Sequence, residues 1–378
     1  MPAEGGSSHP AVRLAVRPVD RQVRTAPSCP RGTSASGLVH GAHSGLSAGP
    51  LRPLASDGEL VPHPISVLLP AGPSASPPSS RPDEVAVRVL HLSDLHLRRE
   101  PGPDDHGLDA REVLAQLLHD CRRLPDLDLV AISGDVADDG AQESYVDALA
   151  LVGRFARDRG AAQAWCTGNH DDRDAFAAVL GSGHLDSSGR DVGRLAPGAS
   201  GGRAATSTVA GVRVITLDSL VPGQVAGRVS TGQLGWLREL LAEPTAGGSV
   251  VALHHPPLSV SPQWAAASLQ DPQELAGVLA GSDVRAVLCG HVHAQLTGFL
   301  EGVPVWVGPG VVTRVDLTAP PTVVRAVRGA AATVVDLAHP CAPLFHVVHA
   351  RDLRAGQEVS VADSSTWQYV TGEQEADR

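Results

Sequence analysis

Lysine is absent from the 378-residue sequence, so its 30 strongly basic side chains are all arginines. Aspartate and glutamate together number 41, which gives a formal net charge of -11 at pH 7. A chain with this charge does not show the basic surface typical of nucleic-acid-binding proteins. The absence weakens a nuclease function without excluding it, and we expect no specific nucleic-acid binding.

Cysteine is also scarce, with five residues and no Cys-x-x-Cys pair. An odd number without paired spacing argues against a disulfide framework or a zinc ribbon. Long apolar runs are absent too, since none approaches the ~18–20 residues needed to span a bilayer. The N-terminus lacks the long apolar core of a signal peptide. We therefore expect a cytoplasmic protein without a transmembrane segment.

The first 84 residues are dominated by Pro, Ser, Gly and Ala. This composition cannot bury enough apolar surface to offset the conformational entropy of folding, so we predict a disordered extension at 1–84. The alternatives are a flexible docking arm and a shorter product that begins at Val85 or Val87. A folded domain is predicted at 85–350 and a C-terminal tail at 351–378.

Strand and helix patterns alternate from residue 85 onward. Apolar, β-branched segments predict buried strands, and amphipathic segments predict the helices between them. The predicted strands are 85–92, 128–133, 164–167, 211–218, 249–253 and 284–289. The predicted helices are 109–124, 142–159, 233–241 and 272–280. This alternation indicates an α/β domain with largely buried sheets.

The pattern changes after Gly290 to short segments with β-like composition. These segments are 296–300, 303–307, 332–337 and 344–349. They suggest a second sheet packed on the first. We interpret 319–332 as a variable loop and the residues beyond 360 as a frayed tail.

Five of the predicted strands end in polar clusters. The clusters are Ser93-Asp94-Leu95-His96, Ser133-Gly134-Asp135, Gly168-Asn169-His170-Asp171, His254-His255-Pro256-Pro257 and Gly290-His291-Val292-His293. Ligands of α/β sheets bind beyond the carboxyl ends of the strands, so the five clusters are expected to converge on one site. Glycine lies before three of the clusters, which fits backbone that must approach a ligand closely.

The residue types in these clusters are those of metal ligands. Carboxylates, one amide oxygen and imidazoles form a mixed O/N donor set suited to Mn, Fe or Zn, and the lack of thiolates disfavours softer metals. A carboxylate can bridge two cations, and two cations ~3.5–4 Å apart can clamp the attacking and departing oxygens of a phosphate ester. Asp-x-His or Gly-Asp alone occurs often by chance, whereas all five motifs in this order at strand ends do not.

The five motifs resemble the full signature of the calcineurin-like metallophosphoesterases, and the resemblance covers about residues 87–312. Flanking segments are similar to those of bacterial class III cyclic-nucleotide phosphodiesterases. These segments are 168–173, 217–219, 232–237 and 254–258. The resemblance implies a four-layer α/β/β/α metallophosphoesterase sandwich, here preceded by the disordered extension.

The resemblance also implies two metal ions that share one carboxylate. The expected ligands are Asp94, His96, Asp135 and His293 for the first ion, and Asp135, Asn169, His254 and His291 for the second. His255 stays open as an alternative to His254 and is otherwise expected to support its neighbour. The expected ions are divalent or trivalent: Mn²⁺, Fe²⁺/Fe³⁺ or Zn²⁺.

Two further residues are expected in catalysis. The resemblance places His170 beside the scissile phosphate, where it protonates or stabilises the leaving oxygen. Asp171 is expected to orient His170, with a role as a surface turn acid as the alternative. For Arg173, a contact with phosphate and a solvated position at a helix start are both open.

The expected reaction is hydrolysis of a phosphodiester by a hydroxide that bridges the two metals. The leading substrates are 3′,5′- or 2′,3′-cyclic AMP. The alternatives are a broader phosphodiesterase or phosphomonoesterase acting on glycerophosphodiesters or nucleotides, and a non-catalytic interaction scaffold. A complete ligand set argues against the scaffold. The expected partner is a small phosphodiester, and a homodimer stays open.

Overall fold

The computed structural model describes residues 87–197, 202–259, 262–320, 322–337 and 342–363. The predicted extension at 1–84 and residues 364–378 of the predicted tail lie outside the described residues. No helix in the described part of the chain is long and apolar enough to cross a membrane.

The first of the two large sheets has six strands. In chain order these are β1 (Arg88–Leu92), β2 (Leu129–Ser133), β3 (Ala162–Cys166), β4 (His184–Leu185), β14 (Ala331–Asp336) and β15 (Leu344–His349). Their spatial order is β15-β14-β1-β2-β3-β4. The three central strands β1, β2 and β3 are parallel, and antiparallel strands close both edges.

The second large sheet has seven strands. These are β5 (Arg194–Leu195), β6 (Ala205–Val209), β7 (Val212–Thr216), β8 (Ser249–Ala252), β9 (Val284–Cys289), β10 (Leu296–Leu300) and β11 (Val303–Val307). Their spatial order is β10-β11-β9-β8-β7-β6-β5. Strands β7, β8, β9 and β11 are parallel to one another.

Helices cover the outer faces of both sheets. They are α1 (Ala110–Cys121), α2 (Gln142–Ala148), α3 (Arg154–Asp158), α4 (Arg173–Leu180), α5 (Thr231–Leu241), α6 (Pro262–Ala267) and α7 (Pro272–Leu279). The helix predicted at 142–159 is α2 and α3 joined by a π-helical turn. Asp109 caps α1 by accepting a hydrogen bond from the Glu112 N–H, as its residue type favours.

Three apolar clusters hold these layers together. Leu114 and Leu117 of α1 pack on the outer face of the first sheet. Leu237 of α5 packs on the outer face of the second. Between the sheets, small and β-branched side chains such as Val89 and Val250 form a third cluster. Alternate residues of each strand therefore face a helix layer and the other sheet, and the predicted α/β/β/α sandwich is confirmed.

The C-terminal part differs from the sequence expectation. The segments after Gly290 do not form a second sheet of their own, because β10 and β11 extend the seven-stranded sheet and β14 and β15 extend the six-stranded one. The expected loop at 319–332 contains β13 (Val323–Arg328). Part of the expected tail forms β16 (Glu358–Asp363), which pairs with β13. Pairing between segments so distant in sequence leaves no local pattern that could predict it.

β13 and β16 belong to a third, smaller sheet. Its remaining strand is β12 (Thr313–Val315), and the spatial order is β12-β13-β16. All neighbouring strands in it are antiparallel. This sheet lies outside the four-layer pattern, and its position becomes important at the functional site.

A buried ion pair joins the two halves of the sandwich. Arg173, at the start of α4, donates from Nε to Asp218 Oδ2 at 2.6 Å and from Nη2 to Asp218 Oδ1 at 3.0 Å. Asp218 follows β7 and is 1% exposed. Thr167 donates to the same carboxylate from the end of β3. Arg173 is therefore engaged in a structural contact rather than in a solvated helix start.

We expect Arg173→Ala to lower the free energy of unfolding by about 3 kcal/mol, because it leaves a buried carboxylate short of its cationic partner. Urea denaturation measures this change. The control is Arg154→Ala, whose pair with Asp158 is largely exposed and 3.9 Å long, so its loss is expected to cost less than about 1 kcal/mol. Equal effects of the two substitutions would contradict the structural role of Arg173.

Candidate metal centre

Five parallel strands of the two large sheets end at one place. β1, β2 and β3 are neighbours in the first sheet, and β8 and β9 are neighbours in the second. The residues that follow these strands are Asp94 and His96, Asp135, Asn169 and His170, His254 and His255, and His291 and His293. Side-chain atoms of these residues form several groups of three within 4.8 Å of one another. The predicted convergence of the strand-end clusters is therefore present in the fold.

The backbone at this place is unusual. The φ angle is positive at five of the candidate ligands: Asp94 (59), His96 (44), Asp135 (48), His291 (73) and His293 (48). The left-handed region is costly for residues with a side chain and persists where the surrounding structure imposes it. Because the chain turns sharply at each strand end, the side chains project beyond the sheet edge.

Two glycines leave the space that these side chains occupy. A methyl group on Gly168 would lie 2.6 Å from the Asp135 nitrogen and even closer to its carboxylate. A methyl group on Gly290 would overlap Ser93 and lie 2.8 Å from Asp94 Oδ2. The glycines before the metal-type motifs thus serve close packing against neighbouring candidate ligands.

Asp94, His96 and His293 form the first group of converging atoms. His293 Nε2 lies 3.3 Å from Asp94 Oδ1 and 3.2 Å from His96 Nε2. On the far side of the rings, His96 Nδ1 lies 2.9 Å from Asp138 Oδ1 and His293 Nδ1 lies 2.8 Å from Thr313 Oγ1. A carboxylate can only accept, so the His96 proton belongs on Nδ1 and its Nε2 lone pair faces the group.

The second group surrounds Asp135. His254 Nε2 lies 3.2 Å from Asp135 Oδ2, without the geometry of a hydrogen bond. Asn169 Oδ1 and His291 Nε2 are buried and have no hydrogen-bond partner among the described residues. Buried polar atoms are rarely left in this state. Three inward-facing donor atoms next to a buried carboxylate fit a second cation, and Asp135 lies between the two groups.

The two adjacent histidines have different surroundings. His254 donates from Nδ1 to the Ser133 carbonyl at 2.7 Å, which leaves Nε2 towards Asp135. Both ring nitrogens of His255 are engaged, Nδ1 with Ser219 Oγ at 2.8 Å and Nε2 with the Val225 carbonyl at 2.9 Å. Although His255 is near His291, it has no nitrogen left to bind a metal. Its ring packs on those of His254 and His291.

The electrostatics of the site favour positive charge. Burial by itself lowers the pKa of His254, but the Asp135 and Asp94 carboxylates outweigh it and raise that pKa to about 9. Burial alone raises the pKa of Asp94, yet the facing His293 and His254 hold it below its ordinary value. Burial and the neighbouring His254 lower the pKa of His291 to about 3. The ionised Asp94 and the neutral His291 are in the states that metal binding requires, and a metal ion would have to replace the proton that these carboxylates favour on His254.

His170 lies at the rim of the site, about half exposed. Its backbone N–H donates to Asp135 Oδ1 at 3.0 Å, and its Nδ1 lies 3.2 Å from the Asp138 carbonyl and 3.5 Å from Asp138 Oδ1. Asp138 therefore faces both His170 and His96. Sequence reasoning missed Asp138, and its position three residues after Asp135 is the only signal that could have drawn attention to it.

The expectation that Asp171 orients His170 is wrong, because the Asp171 carboxylate is engaged elsewhere. Its buried carboxylate accepts from the N–H groups of Val136, Ala137 and Gly168 and from the Tyr145 hydroxyl, at 2.8–3.2 Å. With these partners it does not orient the His170 ring, and it is not a surface acid either. Asp171 instead ties the loop after β2 to the loop after β3, which fixes Asp135 relative to Asn169.

A cavity of about 290 Å³ opens in front of the candidate ligands. Its inner side includes His96, Asp135, Asn169 and the rings of His170, His291 and His293. Its opposite side is formed by Val225 and by residues of the small third sheet. The cavity therefore brings a polar, metal-type surface face to face with a largely apolar one.

A family model for calcineurin-like phosphoesterases matches residues 87–295, more than half of the chain. The chain belongs to the calcineurin-like phosphoesterases. Members of this family use a dinuclear metal centre, in agreement with the two groups of donor atoms around Asp135. The chain is accordingly a hydrolase that acts on phosphoric ester bonds.

Curated relatives of this phosphoesterase carry related names. A cAMP/cGMP dual specificity phosphodiesterase of Mycobacterium tuberculosis is 38% identical over 243 residues, which are 63% of this chain and 70% of the relative. A protein of Rhodococcus erythropolis named "Probable cyclic nucleotide phosphodiesterase" is 38% identical over 61% of this chain and 72% of its own. The 3′,5′-cyclic adenosine monophosphate phosphodiesterase of Pseudomonas aeruginosa is 30% identical over 56% and 71%.

We expect Gly168→Ala to reduce the metal content of the protein, because the added methyl group displaces the Asp135 carboxylate from between the two groups of ligands. Elemental analysis after Mn²⁺ loading and desalting measures the bound metal. The control is Gly235→Ala in α5, where the methyl group meets no atom of the described residues within 4 Å and alanine favours the helix. Full metal content in Gly168→Ala would contradict the packing argument.

Proposed function

We propose that this protein is a two-metal phosphodiesterase that hydrolyses cyclic nucleotides. One ion would be held by Asp94, His96, Asp135 and His293, and the other by Asp135, Asn169, His254 and His291. The observation that carries the assignment is the buried Asp135 carboxylate, which lies 3.2 Å from His254 Nε2 and 3.7 Å from His96 Nε2. Buried donor atoms of Asn169, His254 and His291 have no hydrogen-bond partner among the described residues. The oxygen and nitrogen donors suit Mn²⁺, iron or Zn²⁺.

Two bound cations would activate water near neutral pH and neutralise the charge that grows on the phosphoryl oxygens. The side chains of the protein position the metal ligands and supply the proton for the departing oxygen. Asp138 and Thr313 hold two imidazoles with Nε2 towards the ions, and the His291 N–H orients the Asp94 carboxylate. His170 borders the cavity in front of the ligands, where its ring can deliver a proton to the departing oxygen.

Cyclic nucleotides are the proposed substrates for two reasons. The curated relatives at 30–38% identity carry names that include cyclic nucleotides. The cavity also suits the single negative charge of a diester, since its lining among the described residues offers no arginine for the second negative charge of a monoester. Glycerophosphodiesters, nucleotides and other monoesters are the competing substrates.

A substrate panel with the Mn²⁺-loaded protein tests the proposal. It compares 3′,5′- and 2′,3′-cyclic AMP with a glycerophosphodiester and a nucleoside monophosphate by kcat/KM, after metal analysis of the same sample. The highest kcat/KM is expected for a cyclic nucleotide. A higher value for the glycerophosphodiester or the monophosphate would overturn the substrate assignment, and a protein that binds no metal would overturn the mechanism.

Asp135→Ala is expected to lose both metal ions and turnover, because a single carboxylate serves both groups of ligands. Metal analysis and hydrolysis of bis-p-nitrophenyl phosphate measure the two effects. Asp158→Ala, which changes a largely exposed carboxylate on α3, serves as the control and should match the wild type. An active, metal-loaded Asp135→Ala protein would refute the assignment of the bridge.

His170→Ala is expected to keep both metals but to slow diesters with poor leaving groups most, by about 100-fold. A poor leaving group depends on proton delivery, whereas p-nitrophenolate departs without it. The measurement is kcat against leaving-group pKa, with His119→Ala on the exposed side of α1 as the control. The same loss for every leaving group would argue against proton delivery by His170.

A further inference from the structure

The small third sheet is fixed to the candidate metal centre. The hydroxyl oxygen of Thr313, the first residue of β12, lies 2.8 Å from His293 Nδ1. Two residues later, the Val315 N–H donates to the His293 carbonyl at 2.9 Å. β12 pairs with β13, and β13 pairs in turn with β16. The sheet is therefore held at a defined distance from the ligands and forms the far wall of the cavity.

One face of this sheet supplies the wall. The lining residues alternate along every strand: Thr313 and Val315 on β12, Val324 and Ala326 on β13, and Ser360 and Ala362 on β16. Residues two apart on a strand face the same side. The register also aligns them across the strands, with Val315 opposite Ala326, Ala326 opposite Ser360 and Val324 opposite Ala362. These six side chains form one continuous surface.

The side chains of the wall are small, uncharged and mostly apolar. Its side chains are valine, alanine, serine and threonine, and they are partly exposed towards the cavity. Arg314 and Arg325 occupy intervening positions, whereas Arg328, opposite Thr313 at the end of β13, donates to the Gly107 carbonyl at 2.7 Å. Arg325 pairs with Asp316 at 2.6 Å, and Arg314 is exposed to solvent. Across the cavity, Asp135 and the histidines are the ionisable groups among the described lining residues.

The shape of the cavity limits what it can hold. Its volume of about 290 Å³ is near the lower end of the ~300–1,000 Å³ typical of small-molecule sites. Small side chains on a pleated sheet leave a shallow, even surface rather than a deep pocket. Such a surface suits a flat, uncharged ring, whereas a charged or strongly hydrated group would lose water there without gaining a partner.

We propose that five side chains of this wall, Val315, Val324, Ala326, Ser360 and Ala362, bind the nucleobase of the substrate. This inference rests on the proposed function, because the phosphodiester must lie at the metal ligands for the base to reach the wall. The base would lie flat against the apolar face while the phosphate meets the opposite, polar side. The third sheet would thus select base-bearing cyclic phosphates over diesters of polar alcohols.

The experiment compares two cyclic phosphates on the full-length, Mn²⁺-loaded protein. One is 3′,5′-cyclic AMP, and the other is the 3′,5′-cyclic phosphate of 1-deoxyribose, which has no base. We expect the wild type to favour cyclic AMP by at least about tenfold in kcat/KM, the scale at which apolar pocket contacts discriminate. Two substitutions then alter the wall in opposite ways.

Ala362→Leu fills the space for the base, and Val324→Ala removes apolar contact with it. Each is expected to lower kcat/KM for cyclic AMP, by about tenfold and about fivefold respectively, while the value for the base-free substrate stays within about twofold of the wild type. Val361→Leu is the matched control, since Val361 is 53% exposed and does not line the cavity. Metal content and thermal unfolding confirm that each variant is folded.

The outcomes separate the two proposals. Hydrolysis of neither cyclic phosphate by the metal-loaded wild type would overturn the proposed function itself. Equal kcat/KM for both substrates in the wild type, or an equal change for both in Ala362→Leu and Val324→Ala, would overturn the role of the wall and leave the phosphodiesterase activity intact. If one wall variant does not fold, the other carries the comparison, because the two act by different physical effects.

Discussion

A carboxylate buried between two sheets is the constraint on which this structure depends. Asp135 is 2% exposed, and a buried anion is stable only beside compensating charge or hydrogen-bond donors. The His170 N–H and the neighbouring His254 supply part of this compensation, and the other imidazole nitrogens and the amide oxygen are placed to bind cations that would complete it. Left-handed backbone at the strand ends and glycines at the closest approaches follow from that crowding. The cost in backbone strain is concentrated where the chemistry takes place.

Much of the sandwich and most of the candidate site could be predicted from the sequence. Strands such as β2 and β9 are short apolar runs, and α1 has an Asp109 cap and a regular stripe, so their patterns are local. Asp94, Asp135 and His291 follow such strands directly. The parallel sheet rule then brings them together without knowledge of the pairing. The residue types, their positions at strand ends and the direction of the strands are therefore sufficient to predict this part of the site.

The rest of the fold and of the site could not be predicted, because it depends on contacts that the spacing of residues in the sequence does not reveal. Val324 pairs with Ala362 across 38 residues, and β14 and β15 lie between them in the chain but in another sheet. Adjacency in sequence predicts that Asp171 orients His170, whereas its carboxylate turns inward to three backbone N–H groups. The choice between His254 and His255 likewise needed the hydrogen bonds of both rings.

The attachment of the third sheet has a consequence for substrate traffic. β12 is bonded to the His293 segment at its start, and β13 leads through two residues into β14 of the six-stranded sheet. A sheet held at both ends cannot swing open as a lid without pulling on a candidate metal ligand. For the proposed phosphodiesterase, no gating motion of this sheet would then be part of turnover.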